Sequence, residues 1–447
     1  MTSLPRPPDP ARPGADVLFY TDILRTFRST LIGYLYQVCQ SRRVVLLHET
    51  LDPETEQLLA NTALFPGLVG RVPVNQYGSS PEPGRNRHRR LAALARQLVM
   101  TWRPKVVFAA GVAVFEHYLR RQAKEIAGAK TVGCMGLLLV RNPREVPLLL
   151  DLHAAETRLP RWLPRDLRRS VVRVRRRLAQ AYEYWVLPML AGQRPFPGVN
   201  GVYRLDYTRL QGMDAAIAFT RDNQAMMLRA GVPAGRVCVI PHPLKPGCAD
   251  PVWRAYGMER KTVRDLPRVV TCFLDIEPSW GFLARNGMPI ADEQLIASRI
   301  RVLEVLLDIL DGWEIRIKPH PMSAASPLYA RVMNRIRGLS PRIVWLPPED
   351  PADRHVGQSG AIIGFPPAST AIYTAMLQNP GLPALQVDIN LELRGDAYLG
   401  TPGVVTVSGM DRLQACLQEL RAGHWSAGAY RHDEGDYETL DALLAAL

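Results

Sequence analysis

Glu314-Ile315-Arg316-Ile317-Lys318-Pro319-His320-Pro321 and Ala361-Ile362-Ile363-Gly364-Phe365-Pro366-Pro367-Ala368-Ser369-Thr370 are the stretches on which the reading of this fold turns. The first alternates Ile315 and Ile317 with charged residues, the second begins as a short apolar run, and both stop abruptly in polar and turn-forming residues. Such runs suit strands buried on both faces, as in a parallel sheet covered by helices. The second passes from Ser369 into a helical pattern, so a helix N-terminus with free N–H groups follows the strand. A Lys and a His ending a neighbouring strand of the same sheet face that helix across the crevice. Together they suit a diphosphate or phosphodiester and stabilise charge on a leaving group. Prolines on both sides of His320 stiffen its loop.

Outward from these two runs the same alternation continues. Val269 to Leu274, Ile343 to Leu346 and Ala384 to Asp388 read as further strands, with helical patterns at 295–310 and 329–336. Upstream, Asp16 to Tyr20, Arg43 to His48, Lys105 to Ala109, Pro147 to His153, Asp214 to Phe219 and Val237 to Ile240 form an equivalent series. Thr220 is placed to cap the helix that follows, and Gly231-Val232-Pro233 to end it. Apolar runs alternating with amphipathic helices predict α/β architecture: two doubly wound parallel sheets in tandem, facing each other across a cleft. The expected division is a Pro-rich tail at 1–15, a first unit at 16–243, a linker at 244–268 and a second unit at 269–447. A chain of 447 residues is too long for a single core.

The composition, 47% hydrophobic and 22% charged, is that of a globular protein. No stretch reaches the run of about 18–20 apolar residues that spans a bilayer, and no signal peptide is read, so the expected place is the cytoplasm. Charge is unevenly spread. Residues 251–447 hold 19 Lys/Arg against 23 Asp/Glu, which leaves 36 against 19 for residues 1–250. One basic cluster is Arg85 to Arg90; the other holds nine arginines between Arg158 and Arg177, opposed only by Asp166. From 168 to 189, apolar residues recur at Val171, Val174, Leu178, Tyr182 and Trp185, a helical spacing. This asymmetry implies an anionic partner for the first half, such as a membrane surface or a phosphorylated lipid. Nucleic acid is not expected, because the arginines lack interleaved aromatics. The six cysteines lie far apart without a C-x-x-C or a nearby His, which suits buried thiols rather than a metal site or a disulfide framework.

The Lys318-Pro319-His320-Pro321 strand end and the helix begun by Ser369-Thr370 resemble the GT-B transferases of bacterial capsule and lipopolysaccharide synthesis. Polysialyltransferases, capsular Kdo transferases and CDP-glycerol glycerophosphotransferases are among them, and the likeness covers residues 269–400. It implies that Lys318, His320, Ser369 and Thr370 hold the donor phosphates, without metal or cofactor; the nucleotide-sugar is a substrate. Leu150-Asp151-Leu152-His153, the aromatic-rich helix with Glu183, and Asp214 through Pro243 follow an order similar to the acceptor domain of GT-B enzymes related to glycogen synthase. There the matching position, His153, contacts the transferred sugar. Retaining members carry two glutamates in the later domain, whereas Gly364 to Gln378 contains none. An inverting reaction needs a base from the first unit, for which Asp22, His153 and Glu156 are candidates. Asp22 is equally suited to cap a helix. Glu277, after the strand at 269–274, is a candidate donor contact, as is Asp275, and His242 is read as a support at the junction.

The expected function is transfer of a sugar from a nucleotide-activated donor to a cell-envelope glycan or lipid-linked acceptor. The basic segment Arg158–Arg177 would rest on the inner face of the membrane. The alternatives are a polyol-phosphate transferase of the CDP-glycerol type, a sugar-nucleotide epimerase, or a catalytically silent relative that only binds.

Overall fold

The computed structural model describes residues 14–21, 30–74, 84–110, 114–134, 181–196, 207–229, 231–257, 267–274, 292–320, 323–324, 329–350, 352–365, 370–389, 403–425 and 434–447, with scattered positions in 167–179. The first sheet comprises β1 (Val17–Thr21), β2 (Val44–His48), β3 (Leu68–Pro73), β4 (Val106–Ala110), β5 (Lys130–Cys134), β6 (Ala215–Ala218) and β7 (Val237–Val239). The second comprises β8 (Val269–Leu274), β9 (Glu314–Pro319), β10 (Ile343–Trp345), β11 (Ala361–Gly364), β12 (Ala384–Val387) and β13 (Val404–Val407). Around the first lie α1 (Ile32–Cys39), α2 (Pro53–Leu59), α3 (Gly84–Trp102), α4 (Val114–Gln122), α5 (Leu187–Leu190) and α6 (Arg221–Arg229). The short α7 (Asp250–Ala255) leads to α8 (Asp292–Ile309), α9 (Tyr329–Arg337), α10 (Ala352–Val356), α11 (Thr370–Gln378), α12 (Met410–Arg421) and α13 (Leu440–Ala446).

All pairings are parallel. The strand orders are β3-β2-β1-β4-β5-β6-β7 and β10-β9-β8-β11-β12-β13. Six strands of the first sheet and all six of the second thus follow one winding, which reverses direction beside β1 and again beside β8. Such reversals open a crevice beyond the strand ends, where ligands bind in doubly wound sheets. Burial of every residue in β1, β2 and β4 explains why their sequences are continuous apolar runs.

Local chemistry sets the helix ends. Asp52 caps α2, accepting from the Thr55 N–H at 2.8 Å, with Pro53 in the first turn. Thr220 caps α6 through the Asn223 N–H at 3.0 Å. Gly231 takes a φ of 86° just beyond α6, a conformation that favours glycine. One apolar cluster runs from Phe19, Ile32 and Tyr34 through Trp253 to Ile372, Tyr373 and Met376 of α11, so the two halves share packed surface. Gly33 of α1 also lets the chain after β7 approach: a Cβ there would stand 2.4 Å from Pro243 Cβ.

The chain end also returns to the first sheet. β7 is an edge strand, and residues 434–447 cover it. The Asp436 carboxylate accepts from Val239 N–H and the Asp436 N–H donates to Val239 O, each at 2.7 Å. Arg221 pairs with Asp436, Arg42 with Asp441, and the Leu440 N–H donates to Gln37 Oε1. The outer backbone groups of Val239 on this edge are thereby paired.

Candidate active site at the facing sheet ends

In the second sheet, β9 and β11 flank β8. The Lys318–His320 strand end and the start of α11 therefore stand one strand apart rather than on neighbouring strands, about 10 Å at the usual strand spacing. β11 ends at Gly364, and the reason for glycine is steric. A Cβ would lie 2.3 Å from Ile372 Cδ1, so only glycine lets α11 close onto the strand. The first turn of α11 carries no acidic residue. Its N-terminus thus follows the β11 end beside the reversal, where the helix dipole places partial positive charge.

Lys318 and His320 have different situations. Lys318 is buried, and its ammonium donates to the carbonyls of Pro319 and Pro348, each at 2.8 Å. It ties the β9 end to the loop after β10. His320 is exposed; its backbone N–H continues the ladder to Leu274 O at 2.9 Å, and its carbonyl accepts from Ser323. Close by, buried His355 of α10 pairs Nε2 with Asp350 at 3.3 Å. Burial lowers the His355 pKa, the charges of Lys318 and Arg316 push the same way, and Asp350 opposes them.

Of the other residues singled out by sequence, Thr370 begins α11, with its side chain outside the described residues. Asp22, His153, Glu156, Glu277, Asp275 and Ser369 lie outside the described residues, as does most of Arg158–Arg177. His242 is buried between the halves. Its Nδ1 accepts from the Leu244 N–H at 3.2 Å, so in the neutral ring Nε2 carries the proton and donates to Thr30 Oγ1 at 3.1 Å. Its ring stands 4.9 Å from Phe219 and 6.4 Å from Tyr373 of α11. These contacts make it a strut at the junction.

Two functional candidates were not evident from sequence. His48 ends β2 in register with Thr21 of β1. Its Nδ1 lies 2.5 Å from the Glu49 carbonyl, which fixes the proton there and makes Nε2 the basic nitrogen. Burial lowers its pKa, so the ring is neutral near pH 7 and suited to accept a proton. Arg299 of α8 is buried with its guanidinium 5.2 Å from the Phe365 ring, placing a cation beside the β11 end. The signal for His48 is a polar residue terminating an apolar run; for Arg299 it is one arginine among apolar helix positions.

Contacts at the carboxyl ends join the two halves. Arg354 of α10 pairs with Glu54 of α2 at 2.9 Å, and Tyr256 shares a hydrogen bond with Thr55 at 3.0 Å. Together with His242 and Tyr373, they bring loops from the strand ends of one sheet against those of the other. Among the described residues no cluster of three or more His, Cys, Asp or Glu could hold a metal ion.

No protein-family model and no curated protein matches the sequence. Solved structures do. The UDP-GlcNAc 2-epimerase of Methanocaldococcus jannaschii aligns over 96% of this chain and 98% of its own, at TM-score 0.57 and 9% identity. The fold is GT-B. A Listeria monocytogenes protein assigned as a UDP-N-acetylglucosamine 2-epimerase aligns over 93% of this chain and 92% of its own (TM-score 0.55, 10% identity). The Neisseria meningitidis UDP-GlcNAc 2-epimerase, solved with UDP-GlcNAc bound, covers 92% and 94% (TM-score 0.50, 11% identity). Both sheets of the GT-B architecture are therefore matched in one continuous alignment, and at these identities the likeness speaks for architecture.

Proposed function

We propose that this protein is an enzyme acting on a nucleotide-activated sugar held between its two sheets. The observation that carries the reading is the start of α11 at the reversal beside β8, drawn close by Gly364. A diphosphate there meets the positive end of the helix dipole, with Ser369, Thr370, His320 and Arg299 as polar neighbours. Lys318 shapes the β9 end and adds positive potential. His48 supplies a base from the first sheet, alongside Asp22, His153 and Glu156. No cofactor or metal enters this scheme.

For the reaction, epimerisation of the sugar while it remains on its nucleotide is the first reading, because whole-chain matches to 2-epimerases support it. Transfer of the sugar to an envelope acceptor is the second, supported by the strongly basic first half. Calorimetry with CMP-, CDP-, UDP- and GDP-sugars identifies the nucleotide. The chosen sugar nucleotide is then followed by NMR in D2O without an acceptor. An epimerase that breaks a C–H bond yields a second isomer with solvent deuterium at the inverted carbon. A transferase leaves the donor unchanged until an acceptor is added. Absence of binding to any nucleotide sugar overturns the proposal. His48→Gln should lower turnover by about 10²–10⁴-fold while donor affinity stays near wild type, as for a positioned acid–base group. Equal turnover in both proteins removes His48 from the scheme.

A further inference from the structure

The helix ending in α5 shows an uncommon distribution of apolar residues. Leu167, Val171, Val174, Leu178, Tyr182 and Trp185 recur at three- and four-residue steps, and all are exposed, Leu178 at 64% and Val174 at 57%. Helical rise makes this stripe about 27 Å long. Soluble helices normally turn such a stripe inward. Here the inward face is the other one: Leu187 and Pro188 are buried, and Tyr184 contacts His117 and Phe196. Glu183 fastens it, accepting from Arg87 and lying 3.4 Å from His88 Nε2.

That fastening sets the helix beside the first basic cluster of the sequence. Arg85 and Arg89 are exposed on α3, which holds the Arg87 and His88 partners of Glu183. The other cluster, nine arginines against one aspartate, shares the 158–177 sequence with the stripe. We propose that this helix lies in the surface of an anionic lipid bilayer, its apolar stripe among the acyl chains and the positive charge of its sequence drawing it to anionic headgroups. Tyr182 and Trp185 have the amphipathic rings that settle at that boundary. A second copy of the chain fits less well: a two-fold contact sets the same arginine-rich segment against itself, whereas anionic lipid meets both the charge and the apolar face. The inference stands independently of the reaction catalysed.

Flotation of the full-length protein with phosphatidylcholine vesicles, alone or mixed with phosphatidylglycerol, tests it. Wild type should bind only the mixed vesicles, with binding falling as salt rises. Trp185 fluorescence should shift to the blue on binding, a shift lost in Trp185→Phe. Leu178→Glu with Val174→Glu, both at exposed positions, should weaken partition by roughly 10²-fold at unchanged melting temperature. Replacing Arg173, Arg175, Arg176 and Arg177 with Gln should remove the preference for anionic vesicles. No binding to mixed vesicles, or equal binding by the double variant, overturns the proposal. So does a wild-type dimer in sedimentation equilibrium that Leu178→Glu dissociates.

Discussion

Lys318 and His320 stand two residues apart, and one strand end puts them in opposite surroundings. The lysine ammonium spends its hydrogen bonds on two proline carbonyls, while the histidine reaches solvent. Removing each should thus have a different signature. Lys318→Met leaves two carbonyls without their charged donor and should cost about 2–4 kcal/mol of stability, read as a lower denaturant midpoint. His320→Ala should leave the midpoint in place and weaken nucleotide binding by about 1.5–3 kcal/mol in calorimetry. Equal midpoints for the two variants, or unchanged affinity in His320→Ala, would remove this division of labour. The pair was legible as a strand end with chemistry because residue type and spacing are local. The burial of Lys318 was not, because its lid comes from Pro348, beyond the next strand. For the same reason His48 read only as the last residue of an apolar run.

Elements were legible where their pattern was long or strong. β1, β2, β4, β8 and β11 appear in the sequence as largely apolar runs, and β9 as an alternation of isoleucine with charged residues. β3 escaped notice because it alternates at the sheet edge with Arg71 outward, and β5 because a glycine interrupts it; β13, at the edge of the second sheet, was not read either. The helix running to α5 was readable by period, yet period does not tell which face meets the protein. The Glu183 contacts decide that. Burial alone would raise the Glu183 pKa, but hydrogen bonds and charge from His88 and Arg87 hold it below the ordinary 4.5. Its contribution is therefore present above pH 4.5 and lost as pH falls through the lowered value. Glu183→Ala should cost about 1–3 kcal/mol by leaving Arg87 and His88 without their carboxylate. Hydrogen exchange should quicken at residues 182–190 and the facing turn of α3. Unaltered exchange there would mean that apolar packing alone holds the helix.

At the scale of the whole molecule, two doubly wound sheets were expected from alternating strands and helices, whereas the contacts across the joint, beyond the placing of His242 there, were not. That joint depends on contacts far apart in sequence, such as Glu54 with Arg354, and His242 with Tyr373. Acid sensitivity should follow from two buried histidines near the strand ends. Burial lowers both His48 and His355 from 6.5, Asp350 partly opposing it for His355. Below 6.5 the unfolded chain binds more protons than the folded one. Stability is therefore full above 6.5 and lost as pH falls toward the folded values. The melting temperature should drop between about pH 7 and pH 5, and the double variant His48→Gln, His355→Gln should flatten that slope. Asp16 and Asp214, with pKa values held below 3.8, keep their contribution throughout this window. A slope unchanged in the double variant would assign it to other groups.

The return of residues 434–447 to β7 bears on the order in which the protein is made. Synthesis runs from the N-terminus, at about 5–20 residues per second, and early units generally fold as they emerge. Here the first sheet leaves the ribosome with β7 bare on one side. The groups that satisfy Val239 belong to Asp436, translated 197 residues later. The first half therefore waits, incompletely closed, for the whole second half to be polymerised. During that interval its open edge is the place where a chaperone, or another nascent copy, meets it.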